Sequence, residues 1–99
     1  MINSFKDKRT EMIFEGKTQK VPDAKVQQKA RKILKYLDSV DNLLALRALG
    51  YPAEKKKGKI KGLRGYPNDW HSIDINKQYR IVFTWRNGKA DSVVFIDYH

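Results

Sequence analysis

QYRIVFTWRNGKADSVVFIDYH, residues 78–99, reads as a β-hairpin. Tyr79 to Trp85 is dense in aromatic and β-branched residues, and Val93 to Tyr98 supplies the returning strand. Asn87-Gly88 between them is a type I′ turn signal, because both central residues of that turn take positive φ and its twist matches the flanking strands. Period two then divides the first strand. Tyr79, Ile81 and Phe83 share one face; Arg80, Val82 and Thr84 share the other. The first set reads as core. Arg80 stands on the second face of a rigid strand. There a guanidinium either holds a phosphate bidentately or pairs with a carboxylate such as Asp74 or Asp97, and spacing favours neither.

Upstream, Trp70 to Ile75 alternates in part, and Asn76-Lys77-Gln78 turns the chain into Tyr79. Pro22-Asp23 opens the clearest helix. Val26, Ala30, Ile33, Leu34 and Leu37 recur on a 3.6-residue period as one apolar stripe. Lys25, Gln28, Lys29, Lys32 and Lys35 lie opposite and read as a solvated face. Asp7 is placed to cap a shorter helix over Lys8 to Glu15, with Gly16 ending it. Met1 to Phe5 suits a short strand. Asp41 begins another helical turn carrying Leu43, Leu44 and Leu46, which Gly50-Tyr51-Pro52 breaks. Residues 53–62, AEKKKGKIKG, are expected as an exposed basic loop running into a strand. A strand, two helices and then three or four consecutive strands make a single α+β domain over residues 1–99. Two N-terminal helices pack on one face of a small antiparallel sheet, and the other face is free to work.

Of the 99 residues, 21 are Lys or Arg and 11 are Asp or Glu, giving a net charge of +10. A small domain this basic points to a polyanion: nucleic acid, the ribosome or an acidic membrane surface. There is no cysteine, which excludes a disulfide framework and thiolate zinc sites and fits a reducing cytoplasm. The opening MINSFKDKRTEMIF lacks the apolar run of a signal peptide, and no run is long enough to span a membrane.

The histidines are His71 and His99. A pair of histidines suffices for phosphodiester cleavage, one as base and one as acid. His71 follows Trp70 and reads as half-buried. His99 sits beside its own terminal carboxylate, and Tyr98 adds a phenol able to stack on a base or share in proton transfer. No HExxH, phosphate loop or carboxylate cluster at ligand spacing occurs, so neither metal nor cofactor is expected. An enzyme of this composition works through basic and aromatic side chains. RNA cleavage suits it, because RNA brings its own nucleophile, the 2′-OH.

The sequence resembles the HigB toxins of type II toxin–antitoxin systems, within the RelE/ParE superfamily. The resemblance rests on INSFKDK (2–8), FEGK (14–17), Leu63-Arg64-Gly65, SIDINKQYRIVF (72–83) and the ending Asp97-Tyr98-His99. It implies a RelE/ParE-like fold and an endoribonuclease that cuts mRNA in the ribosomal A site. It also implies a HigA-type helix-turn-helix antitoxin, which neutralises the toxin and alone carries it to operator DNA. Matched position by position, Arg80 falls on the phosphate-stabilising strand arginine, and Tyr98 and His99 on a terminal pair at the active site. Arg64 falls on a substrate-contacting basic position. Lys61 stands where some relatives have His or Glu, so it serves as base only with a depressed pKa. Lys55, Lys56, Lys57, Lys59 and Lys77 are expected on RNA or the 70S ribosome. Asp74 departs from the family, where many relatives carry a basic residue. A ParE-like gyrase inhibitor on the same fold, or a catalytically weak RNA-binding toxin, is the alternative.

Overall fold

A computed structural model describes residues 1–20 and 22–97. Three helices, α1 (Lys8–Phe14), α2 (Ala24–Ser39) and α3 (Leu44–Ala48), precede four strands, β1 (Glu54–Lys57), β2 (Asp69–Asp74), β3 (Tyr79–Arg86) and β4 (Lys89–Asp97). The strands form one antiparallel sheet in the order β1-β2-β3-β4. The Asn87-Gly88 turn forms as its sequence dictates, with φ of 53° and 76° and Arg86 opposite Lys89.

The helices start where carboxylates can accept first-turn N–H groups. Asp7 accepts from Thr10 N–H at 2.8 Å, and Asp23 from Val26 N–H at 3.0 Å. Glu15 closes α1, and Gly16 leaves it at φ 84°. The α3 turn begins at Leu44 rather than Asp41, with Asn42 Oδ1 accepting from Ala45 N–H at 3.1 Å. The apolar stripe of α2 lands on the sheet: Ala30, Ile33, Leu34 and Leu37 are buried with Ile73, Ile81, Phe83, Val93 and Phe95. The N-terminal segment lies along the outer side of β4 through parallel bridges at Ile2–Ala90 and Phe5–Val93, and is not a full strand.

Two expectations need correction. Residues 54–57 are the edge strand β1, not a loop, because Glu54 to Lys57 pair in register with Ser72 to Asp69. A lysine-rich strand is tolerated there because an edge strand is wet on one side. Nor is the second sheet face wholly free. Ile60, Tyr66, Trp70, Val82 and Val94 form a smaller buried cluster, with Leu63 and Ile96 packed against it. The segment after β1 therefore folds back over the sheet. Trp70 Nε1–H donates to Gly58 O at 2.9 Å and Tyr66 O–H to Ser92 O at 2.8 Å, tying both ends of that cover down.

One buried hydroxyl joins α1 to the sheet. Thr10 is fully buried, and its Oγ1 accepts from Phe95 N–H at 2.9 Å while bonding Asp7. Thr10→Val keeps the shape but orphans a buried N–H, which costs about 1–3 kcal/mol. Thermal unfolding should then shift down by roughly 4–8 °C per kcal/mol in a domain of this size. An unchanged midpoint would mean that Phe95 N–H finds another acceptor.

Candidate active site

Arg80 stands on the covered face of the sheet, opposite Asp74 on β2 and Ile96 on β4. Its Nε–H donates to Asp74 Oδ1 at 2.9 Å. The carboxylate alternative is therefore realised with Asp74. It is not exclusive of phosphate binding, because a guanidinium is a planar fork with five donors. The arginine side chain is 24% exposed and the aspartate 58%, so the pair is half in water. A cross-strand pair of that kind adds well under about 1 kcal/mol to stability. Its stronger effect is geometric: Asp74 fixes one edge of the guanidinium.

The β2–β3 turn beside this pair is rigid for its size. Asn76 Oδ1 accepts from Gln78 N–H at 2.8 Å and from Tyr79 N–H at 2.7 Å, an Asx arrangement. Lys77 is exposed on that turn. Gln78 Nε2–H donates to Asp97 Oδ2 at 3.1 Å, joining the turn to the end of β4. Asp97, the other carboxylate named as a possible partner of Arg80 and the first residue of the Asp-Tyr-His ending, is thus tied into this corner. Tyr98 and His99 lie outside the described residues.

The cover over the same face carries Lys61 and Arg64, both exposed, on two consecutive turns. Leu63 N–H donates to Ile60 O at 3.1 Å and Tyr66 N–H to Leu63 O at 3.2 Å. Gly62 at φ 88° and Gly65 at φ 79° make those turns possible, since side-chain-bearing residues rarely take such φ. Lys59 and Arg64 line a hollow of about 500 Å³ with Ile60, Leu63, Tyr66 and Asn68. Ile60 and Tyr66 root the cover in the cluster beside Ile96, the cross-strand neighbour of Arg80. Burial, with the Asp91 charge as a smaller cause, pushes the Tyr66 phenol up, so it stays a neutral donor to Ser92 O. Lys61 and Arg64 thus lie over the sheet face that carries Arg80, and Lys77 lies on the turn beside the Arg80–Asp74 pair.

Lys55, Lys56 and Lys57 lie away from that pair. Arg80 pairs with Asp74 and Lys57 with Asp69, five residues apart along β2, and β1 is two strands from β3. At strand spacings that separation is on the order of 20 Å. Lys56 is moreover held by Glu54 at 3.1 Å.

His71 lies on the opposite face, stacked on Phe83 with ring centroids 5.7 Å apart. Its Nδ1 is buried without a hydrogen-bond partner. Burial, and secondarily Lys55, lowers its pKa from the ordinary 6.5. It is a neutral packing residue and no partner for Arg80. Among the described residues no cluster of three or more His, Asp or Glu is placed to hold a metal ion, and no helix is long and apolar enough to cross a membrane.

A family model described as the RelE-like toxin of type II toxin–antitoxin system HigB matches residues 3–99. Toxin HigB-1 of Vibrio cholerae serotype O1 is 33% identical over 92 residues, covering 91% of this chain and 90% of its own. Endoribonuclease HigB of Proteus vulgaris is 31% identical over 100 residues, covering all of both chains.

The sign for His71 follows from its environment. Because the folded pKa is depressed, the unfolded chain takes up the proton first, and stability falls as pH drops through and below 6.5. An NMR titration should place the His71 midpoint below 6.5, and His71→Gln should flatten that part of the stability profile. A midpoint at or above 6.5 would contradict the packing assignment.

Proposed function

Because the chain belongs to the RelE-like HigB toxins of type II toxin–antitoxin systems, we propose that it is a cytoplasmic endoribonuclease that enters the ribosomal A site and cuts the mRNA being translated. Its partners are the 70S ribosome with its mRNA and a HigA-type helix-turn-helix antitoxin, through which it meets operator DNA. The observation that carries this reading is Arg80, fixed by Asp74 on a sheet face overhung by a basic cover. The name of the Proteus vulgaris relative, an endoribonuclease, supports the reaction class.

The chemistry asks little more of a protein than fixed charge and proton transfer. The 2′-OH of one nucleotide loses its proton to a base and attacks the adjacent phosphorus. The bond to the 5′ oxygen of the next nucleotide breaks, and that oxygen takes a proton. The products are a 2′,3′-cyclic phosphate and a 5′-hydroxyl. Charge builds on the non-bridging oxygens, where a pre-positioned cation stabilises the transition state more than the ground state. Arg80 supplies that cation. Tyr98, His99 and Lys61 share the proton steps, an assignment that rests on the sequence resemblance. Arg64, Lys59 and Lys77 hold backbone phosphates around the cut. Alignment of the 2′-OH for in-line attack comes from the decoding site, which explains a need for the ribosome.

The test is cleavage of a short defined mRNA by purified protein, with and without translating ribosomes. Cuts are expected only with ribosomes, leaving cyclic phosphate ends, and Arg80→Ala should slow them by about 100-fold or more. Equal cutting of naked RNA, or a fully active Arg80→Ala variant, would contradict the reading. The β1 lysines act at longer range, on ribosomal RNA. Replacing Lys55, Lys56 and Lys57 by glutamine should reduce the salt slope of ribosome binding by about two, not three, because Lys56 is already paired with Glu54. An unchanged slope would remove those lysines from the ribosome contact.

A further inference from the structure

The sheet forks at one end. Pairing of β2 with β3 stops at His71–Phe83, whereas β1 stays paired with β2 as far as Lys57–Asp69 and β3 with β4 as far as Arg86–Lys89. Gly58 N–H, donating to Asn68 O at 2.8 Å, carries the first arm one step further. The second arm is bulged between Val82 and Thr84. A bulge bends a strand and raises its twist, which turns the end of the β3–β4 hairpin away from β2. The gap between the arms is a hollow of about 650 Å³, within the range of small-ligand sites. A gap between strands draws on both faces of the sheet. Lys55, His71 and Trp85 line it from the helix side, and Thr84 and Arg86 from the other.

The charged groups of the gap are Lys55, Asp69, Arg86 and Asp91. Asp91 is already engaged: its Oδ1 accepts from Asn3 Nδ2–H at 2.6 Å and from Ser4 Oγ–H at 3.3 Å. Thr84 is likewise used, its hydroxyl donating to Asp91 O at 3.2 Å. The other three are exposed, and their side chains make no hydrogen bond or ion pair among the described residues. Asp69 stays unpaired although Lys57 stands opposite it on β1. Asp69 and Trp85 are the next residues on the helix side of β2 and β3 beyond the His71–Phe83 rung, so a carboxylate and a half-buried indole face the gap from its two arms. Lys55 and Arg86 add one cation on each arm.

We propose that this gap takes an unpaired guanosine of RNA: the base stacks on Trp85, its N1–H and N2–H groups donate to the Asp69 carboxylate, and Lys55 and Arg86 hold the phosphates on either side of it. The inference rests on the RNA reading above. It concerns a nucleotide other than the one cut, because Arg86 lies six residues along β3 from Arg80, on the order of 20 Å. Unpaired bases are read by aromatic stacking and by hydrogen bonds to the Watson–Crick edge. An ionised carboxylate only accepts, and guanine alone of the four bases offers two adjacent donors on that edge. Asp69 is therefore informative. On a chain of net charge +10 a free carboxylate works against phosphate binding, and its place beside an aromatic ring suits it to a base.

The experiment measures binding of the full chain to short 2′-O-methyl RNA, which lacks the nucleophile for cleavage, so the site is read apart from the reaction. The probes are an oligouridine carrying one guanosine and the same chain with inosine or adenosine in its place. Guanosine should bind at least about tenfold more tightly than adenosine, with inosine, which lacks the 2-amino group, between them. Asp69→Asn, at an exposed position, should fold like the wild type and abolish the preference, while adenosine RNA binds as before or more tightly because a negative charge has gone. A purely structural or electrostatic role of Asp69 would move all the probes alike. Equal binding of the probes by the wild type, or a preference that survives Asp69→Asn, would overturn the inference. Absence of any RNA binding would overturn it together with the RNA reading. Kethoxal, which attacks unpaired guanine at N1 and N2, then finds the source on mRNA-programmed ribosomes bound to Arg80→Ala toxin, where the message stays whole. A guanine protected there, and released when Asp69→Asn is added, belongs to the mRNA or to ribosomal RNA according to its position. Guanosine preference on the short RNA with no such protection would contradict the ribosomal reading and leave the guanosine site standing.

Discussion

The register of β3 against its neighbours is the constraint on which the rest depends. A slip of one residue would exchange the two faces of the strand, sending Ile81 and Phe83 to the cover and Arg80 into the helices. Two devices hold the register. The Asn87-Gly88 turn sets it at one end. A bulge between Val82 and Thr84 then puts Ser92 at φ 52°, a conformation few serines adopt. That residue is clamped from both sides: its N–H donates to Ser4 Oγ at 2.8 Å, and its carbonyl accepts from Tyr66. The bulge thus joins the N-terminal segment, the sheet and the basic cover at one residue.

From this register follow a dry face and a working face. The dry face takes the α2 stripe, with Ile81 and Phe83 fully buried. The working face is dry only in its middle, where Val82 and Val94 meet Ile60, Tyr66 and Trp70. At its end the apolar cover gives way to the Arg80–Asp74 pair. The apolar cluster holds the basic cover in place, so that mobile lysines and arginines are carried on fixed backbone. A charged surface of this kind orients phosphates as well as attracting them.

Much of this was legible from local chemistry. Asn87-Gly88, the Asp7 and Asp23 caps and the 3.6-residue stripe of α2 are each decided within a few residues of the chain. The face of Arg80 followed from period two alone. What was not legible depends on partners distant in sequence. AEKKKGKIKG reads as loop by composition, and only pairing with β2 makes its first part a strand. Ile60 among lysines gives no periodic signal, yet it anchors the cover. Asp74 as the partner of Arg80 depends on the β2–β3 register, which the turn length alone left open. The distance of Lys55 to Lys57 from Arg80 was not legible either, because it is set by the pairing of β1 with β2 and not by charge density along the chain.

The central claim is that the sheet positions Arg80, through Asp74, on the scissile phosphate. The most direct measurement is a double-mutant cycle on the single-turnover rate of ribosome-bound mRNA cleavage, with Arg80→Ala, Asp74→Asn and the double variant. The account predicts strong coupling: Asp74→Asn alters the rate when Arg80 is present and has no further effect once it is gone. Equal and additive effects of Asp74→Asn in both backgrounds, or no loss on removing Arg80, would contradict it.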